Sequence, residues 1–375
     1  MKKSLIALAI AALASSSVYA STVYDKDGTS LNIGGRIQSV YYTIQNGGAG
    51  NNDSSIVNSS RLSLDGRSKI ASGITAFGFT EWDVANGDKS SETEGMEARE
   101  QFIGVDFGKF GVLSFGRTYD TVKSVIEVTD IFEDYGCIGQ AGCDDFRAGT
   151  LKYVWEGYGL LAGISYQSAK DALIVAGSLD NGENGEGYMN VESGFSSILG
   201  YTTPSVLLGP ISIKVAYAYL NGQNDNNHTL SYEIDNMKEY AASISWGNSG
   251  DGLYLAALYN QRKFDYIDNA QSFSNSSIKG IEAVISYGFD NGLSLAAGWE
   301  YSRNYAQGAN STDDATQIIR KIPVYANFEF NPNFNVWAEA SFDAGSDKQI
   351  NGVLLGNEAT AEDHALFSIG ARYTF

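Results

Sequence analysis

The run 364–375 constrains the fold of this chain more tightly than any other stretch. Phe367, Ile369, Ala371, Tyr373 and Phe375 share one parity, and Leu366, Ser368, Gly370, Arg372 and Thr374 share the other. Successive side chains of a strand point to opposite faces, so the segment reads as a strand with one apolar wall and one small or polar wall. A single strand of this kind suits a soluble sandwich as well as a barrel. The alternation recurs, however, at 31–44, 211–219, 281–289, 293–301, 322–330 and 334–342. In 211–219, Ile211, Ile213, Val215, Tyr217 and Tyr219 oppose Ser212, Lys214, Ala216 and Ala218. In 31–44, Asn32, Arg36 and Gln38 oppose Leu31, Ile33, Ile37 and Tyr41. Aromatic residues gather toward strand ends, as they do at the two interfaces of a membrane barrel.

The connections alternate between two kinds. Phe107-Gly108-Lys109-Phe110, Glu156-Gly157-Tyr158-Gly159, Gly250-Asp251-Gly252, Asp290-Asn291-Gly292 and Asn331-Pro332-Asn333 carry the residues tight turns demand. The others, at 45–58, 86–96, 121–148, 168–190, 221–236, 265–276, 305–315 and 344–363, are long and rich in Asn, Asp, Gly and Ser. Short turns on one rim and long loops on the other are the layout of an outer-membrane barrel, and eight long loops imply about 16 antiparallel strands. A barrel of about that size is too wide for inward side chains to fill, so water occupies the bore and something must narrow it.

The amino terminus fits an exported protein. Lys2-Lys3, the apolar run 5–13 and the small residues Val18 and Ala20 describe a signal peptide cleaved after Ala20. The run is too short to span a bilayer, and no later segment reaches the ~20 apolar residues of a transmembrane helix. Residues 21–375 then form a single domain, with no linker or low-complexity tract. Removing Lys2 and Lys3 takes the net charge from −19 to −21. So acidic a chain, with no basic stripe, excludes a nucleic-acid partner.

The segment 121–148 is the candidate constriction. It carries Glu127, Asp130, Glu133, Asp134, Asp144 and Asp145 against Lys123 and Arg147, yet Val125, Ile126, Val128, Ile131 and Phe132 are apolar. That mixture suits a loop packed on a wall. Cys137 and Cys143, the two cysteines of the chain, fall within it and are expected to form a disulfide in an oxidising, exported setting. Two sulfurs without nearby histidines make a poor zinc site, so no metal is expected.

Gly116-Arg117-Thr118-Tyr119, followed by Thr129-Asp130-Ile131-Phe132-Glu133-Asp134-Tyr135-Gly136, resembles the third-loop region of general diffusion porins of Gram-negative outer membranes. With the signal peptide, the strand layout and Phe375, the resemblance spans the mature chain. It implies an outer-membrane location, a homotrimer, contact with lipid and lipopolysaccharide, no cofactor, and passage of small hydrophilic solutes and ions. It further implies a third loop folded inward, with Asp130 and Asp134 on its acidic side and Glu133 where the family often has proline. Arg36, Arg61 and Arg99 match the opposing basic ladder. Arg36 and Arg61 also lie on the polar parity of their strands, whereas Arg99 shares parity with Gln101 but also with Ile103 and Val105. Arg147 is the candidate for a fourth basic member, with Lys152 close by. The acidic balance leads to an expected cation preference.

Two other readings remain at this level. A substrate-selective channel for a sugar or organic acid would want an aromatic run along the lumen, where parity offers Tyr42 and Tyr325. An outer-membrane hydrolase would need a base, and the two histidines, His228 and His364, fall at or beside long loops with no Gly-x-Ser-x-Gly elbow.

Overall fold

The computed structural model describes residues 20–43, 56–84, 95–141, 145–175, 187–223, 234–267, 273–308, 315–346 and 365–375. The signal segment up to residue 19, Cys143, Asp144, His228, His364 and most of the long loops lie outside the described residues.

Eighteen strand segments form one antiparallel sheet. They are β1 (Ser21–Lys26), β2 (Thr29–Tyr42), β3 (Ile56–Ala71), β4 (Ile74–Val84), β5 (Glu97–Asp106) and β6 (Val112–Thr118). There follow β7 (Arg147–Gly157), β8 (Leu160–Gln167), β9 (Lys170–Val175), β10 (Gly187–Thr202), β11 (Ile211–Gly222) and β12 (Ile234–Asn248). The last six are β13 (Asp251–Tyr266), β14 (Phe273–Gly288), β15 (Leu293–Gly308), β16 (Ala315–Asn331), β17 (Phe334–Asp343) and β18 (Leu366–Thr374). β8 and β9 pair with successive parts of one edge of β10, so together they make one broken strand. β1 and β18 likewise share an edge of β2, the first along Thr29 to Ile33 and the second along Arg36 to Tyr42. Two merged pairs reduce eighteen segments to a closed barrel of 16 strands.

Closure happens at Phe375. Its carbonyl accepts from the Gly35 amide at 2.9 Å and its amide donates to the Gly35 carbonyl at 3.0 Å. Gly35 has no alternative there, because a Cβ would meet the Arg61 carbonyl and the Phe375 ring. β1 was not foreseen: its residues, Ser21-Thr22-Val23-Tyr24-Asp25-Lys26, alternate over too few positions to stand out, and the strand exists because the Asp27-Gly28 turn folds it onto β2.

The barrel is inside out relative to a soluble fold. Ile37, Ile103, Ile164, Leu199, Ile213, Ile244, Ile285 and Ile369 sit exposed on the outer wall. Charged and small residues, among them Glu81, Glu239, Arg262, Glu282, Lys321, Glu339 and Ser368, are buried toward the lumen. A closed sheet with an apolar outer face satisfies its backbone internally and places its transfer energy in hydrocarbon.

Candidate functional site

Between β6 and β7 the chain turns into the barrel. A single α-helical turn, Lys123–Ile126, runs into a 3₁₀ turn, Glu127–Thr129. The apolar side of the first turn, Val122, Val125 and Ile126, buries against Ile198 of β10, Ala218 of β11, Ala241 of β12 and Leu258 of β13. Val128 and Phe132 continue the contact onto Tyr254 and Ala256 of β13 and Val284 of β14. Tyr254 donates its hydroxyl to the Val128 carbonyl at 2.8 Å. Small and apolar residues on the lumen parity of β10 to β14 are thus the footprint of this segment.

Past Phe132 the hold becomes polar. Glu339 of β17 accepts backbone N–H bonds from Glu133 (2.8 Å), Asp134 (3.1 Å) and Tyr135 (2.6 Å). Glu282 of β14 accepts from the Gly139 amide and the Gln140 side chain, both at 2.8 Å, and from the Thr129 hydroxyl. Asn260 of β13 takes the Ala141 amide at 2.8 Å. Carboxylates with several N–H donors are among the strongest hydrogen-bond acceptors a protein offers. Gly280 of β14 leaves room for the segment, since a Cβ there would overlap the Gly139 backbone. Burial, together with the Asp134 and Glu339 carboxylates, pushes the Tyr135 phenol above its ordinary value.

Across the lumen stands a row of guanidinium groups. Arg36 and Arg61 are cross-strand partners on β2 and β3. Arg61 donates from Nε to Asp83 of β4 at 2.7 Å. Arg99 of β5 bridges Glu81 (3.2 Å) and Asp83 (3.1 Å) of β4. Its parity alone would point it outward with Gln101 and Ile103. A register shift between Glu81 and Trp82 gives β5 an extra residue at this point, and the bulge swings Arg99 to the lumen. The centre of the Phe146 ring lies 4.6 Å from the Arg99 guanidinium carbon, and the ring packs tilted against Tyr119, with centroids 4.2 Å apart.

The acidic candidates divide into three situations. Glu133 meets the basic row, pairing both carboxylate oxygens with Arg372 of β18. Asp130 is exposed and pairs with Lys123 at 3.2 Å. Asp134 turns away from the arginines to the wall. It accepts from Tyr42 (2.8 Å), Trp337 (2.9 Å) and Ser368 (2.6 Å), so it anchors the loop tip.

Arg147 does not join the basic row. It is buried at the root of the inward segment, beside Asp120 (2.5 Å), Asp145 (3.5 Å) and Glu239 (3.8 Å). Arg262 of β13 shares Asp145 and Glu239 with it. Arg147 is close to the inward segment in sequence, and the three carboxylates hold it inside the wall network. Arg372 takes the fourth place instead. Its signal was present, since it lies on the polar parity of the last strand. Arg262, Glu239, Glu282 and Glu339 carry no comparable signal, because a lone charged residue in a long strand announces only its face. The Cys137 sulfur lies 3.3 Å from an Asp130 carboxylate oxygen, while Cys143 lies outside the described residues.

A family model described as Gram-negative porin matches residues 26–375. Outer membrane porin PhoE of Escherichia coli (strain K12) is 25% identical over 387 residues, covering 100% of both chains. The solved OmpF of Salmonella typhi, in complex with daunomycin, superimposes with a TM-score of 0.72 at 20% identity, covering 95% of this chain and 100% of that one. The trimer form of OmpT from Vibrio cholerae does so with a TM-score of 0.63 at 17% identity, covering 93% and 100%. The two structures share the fold.

Proposed function

The chain belongs to the Gram-negative porin family and is an outer-membrane β-barrel, and from that premise we propose that it is a general diffusion channel whose bore is narrowed by segment 121–148. Small hydrophilic solutes and ions cross between the exposed acidic side of that segment and the arginine row. The observation that carries the reading is the docking of the segment across the inner faces of β10 to β17, which leaves the passage along β18 and β2 to β5. Asp130 and Glu133 form the acidic side, Asp134 secures it, and Arg36, Arg61, Arg99 and Arg372 form the basic side.

Charge balance supports a cation preference. Most carboxylates here are matched: Glu133 by Arg372, Asp83 by Arg61 and Arg99, Asp130 by Lys123. Asp134, Glu282 and Glu339 take only uncharged donors, against Arg36 as the basic member with no ion pair among the described residues. In a gap narrower than the Debye length of about 8–10 Å, salt screens this surplus weakly. The reversal potential of single channels in asymmetric potassium chloride tests it. A potential of the cation-selective sign is expected, and an anion-selective sign overturns the preference while leaving the channel reading intact.

Four further parts complete this reading. The protein works as a homotrimer, as the trimer form of OmpT encourages. It is exported with residues 1–20 removed, leaving the barrel domain 21–375. Its outer surface contacts membrane lipid and lipopolysaccharide. Cys137 and Cys143 form a disulfide that stiffens the loop; thiol alkylation of the unreduced, denatured chain is expected to label neither cysteine, and labelling of both overturns the bond.

A further inference from the structure

The turn joining β10 to β11, residues 203–210, is more apolar than the three compared with it on this rim: Asp27-Gly28, Asn291-Gly292 and Asn331-Pro332 are polar pairs. Thr203-Pro204-Ser205-Val206-Leu207-Leu208-Gly209-Pro210 contains no charge and ends on three apolar residues. Leu207 is 92% exposed, with Val206 and Leu208 each at 43%. Leu207 also sits at φ 56, the left-handed region that a leucine rarely adopts and that Gly or Asn would fill at less cost. The barrel gains no packing from this side chain in return.

The turn is well braced. The Val206 amide donates to the Gly209 carbonyl at 2.8 Å, Thr203 Oγ1 accepts from the Ile211 amide at 3.0 Å, and the Gly247 amide donates to the Pro210 carbonyl at 3.0 Å. Its direction is set by Trp246 of β12, whose indole N–H donates to the Val206 carbonyl at 2.8 Å. Trp246 shares parity with Ile244, which is exposed on the lipid-facing wall. The turn therefore reaches past β11 and leans outward over the lipid side. The neighbouring turn between β7 and β8, joined to it by the Thr202 amide to Gly159 carbonyl bond of 2.7 Å, repeats the pattern: Tyr158 is 96% exposed at φ 56.

We propose that the Val206-Leu207-Leu208 tip, with Tyr158 beside it, inserts into the periplasmic leaflet of the outer membrane and anchors this arc of the barrel in lipid. Short-turn rims face the periplasm in barrels of this kind. An apolar tip continuous with a lipid-facing Trp and an interfacial Tyr matches a phospholipid surface, where aromatic rings sit at headgroup level and aliphatic chains below. The inference stands on the rim geometry and does not depend on the channel reading.

Spin-label accessibility tests it. Leu207→Cys, in a background of Cys137→Ser and Cys143→Ser, carries a nitroxide and is reconstituted into phosphatidylethanolamine and phosphatidylglycerol vesicles. Asn291→Cys serves as the aqueous reference on the same rim. Collisions with oxygen are expected to exceed those with a water-soluble nickel chelate at position 207, and the order is expected to reverse at 291. Nickel-dominated collisions at 207 overturn the proposal by placing the tip in water. Low accessibility to both reagents also overturns it, because a protein surface then covers the tip. Leu207 supports no core, so unchanged heat-modifiable gel mobility is expected to confirm that the labelled chain is folded.

Discussion

The Arg372–Glu133 ion pair bridges the inward segment and the basic row, so this pair is where single-residue changes read most simply. Removing either partner frees the other's charge in the passage. A unit charge about 4 Å from an ion is worth about 1 kcal/mol even at the dielectric of water, or about fivefold in a permeability ratio. Arg372→Gln is therefore expected to raise the cation-to-anion permeability ratio by about that factor, and Glu133→Gln to lower it. Reversal potentials of the two variants check both signs, and shifts in the same direction would contradict the opposed geometry. Asp134 belongs to a different class despite lying next in sequence. Asp134→Ala leaves Tyr42, Trp337 and Ser368 without their acceptor, a cost of about 1–3 kcal/mol for buried donors. Its expected effect is a loosened loop, read as added noise in the open-channel current, with a smaller change in selectivity than either partner of the Glu133–Arg372 pair. Parity in the sequence found Arg36 and Arg61 but could not separate these two acids. Which way a loop carboxylate turns depends on donors on β2, β17 and β18 that are remote in the chain.

Among elements, the inward segment and the wall it covers are two halves of one packing problem. The lumen side of β10 to β14 trades polar residues for Ile198, Ala218, Ala241, Leu258 and Val284 where the segment lies. β14 goes further, using Gly280 to admit the Gly139 backbone and Glu282 to hold it. Gly280→Val is accordingly expected to displace the segment without preventing barrel closure. Heat-modifiable mobility should persist while single-channel conductance changes. Loss of mobility shift would mean that the site supports the barrel itself. The apolar run Val125-Ile126-Val128-Phe132 made a packed loop legible in the sequence, because a solvated loop has no use for it. Two irregularities of the sheet were less legible. The shift beside Arg99 reverses the parity rule locally, and the break between β8 and β9 hides a strand inside a segment that reads as loop. Bulges conserve composition while changing direction, so alternation statistics pass over them.

For the whole molecule, the apolar outer wall, the closed sheet and the charged lumen are one arrangement. A chain with large apolar residues exposed on most strands and glutamates buried inside can be stable only where its outer surface meets hydrocarbon. Folded protein in detergent is expected to migrate differently on gels before and after boiling, and identical migration would deny the barrel its resistance to unfolding. Strand number was readable because each long loop marks one hairpin, and that count survives bulges. The basic row was readable in part, since Arg147 sits near the constriction in sequence yet belongs to the buried Asp120–Asp145–Glu239–Arg262 network in space. The account as a whole rests on segment 121–148 bordering the conducting path. The most direct measurement is the single-channel current of Asp130→Cys, in the Cys137→Ser and Cys143→Ser background, upon addition of a cationic methanethiosulfonate reagent. Stepwise current reduction with a shift toward anion permeability is expected; a current and reversal potential unchanged by a reagent shown to have reacted at residue 130 would contradict the account.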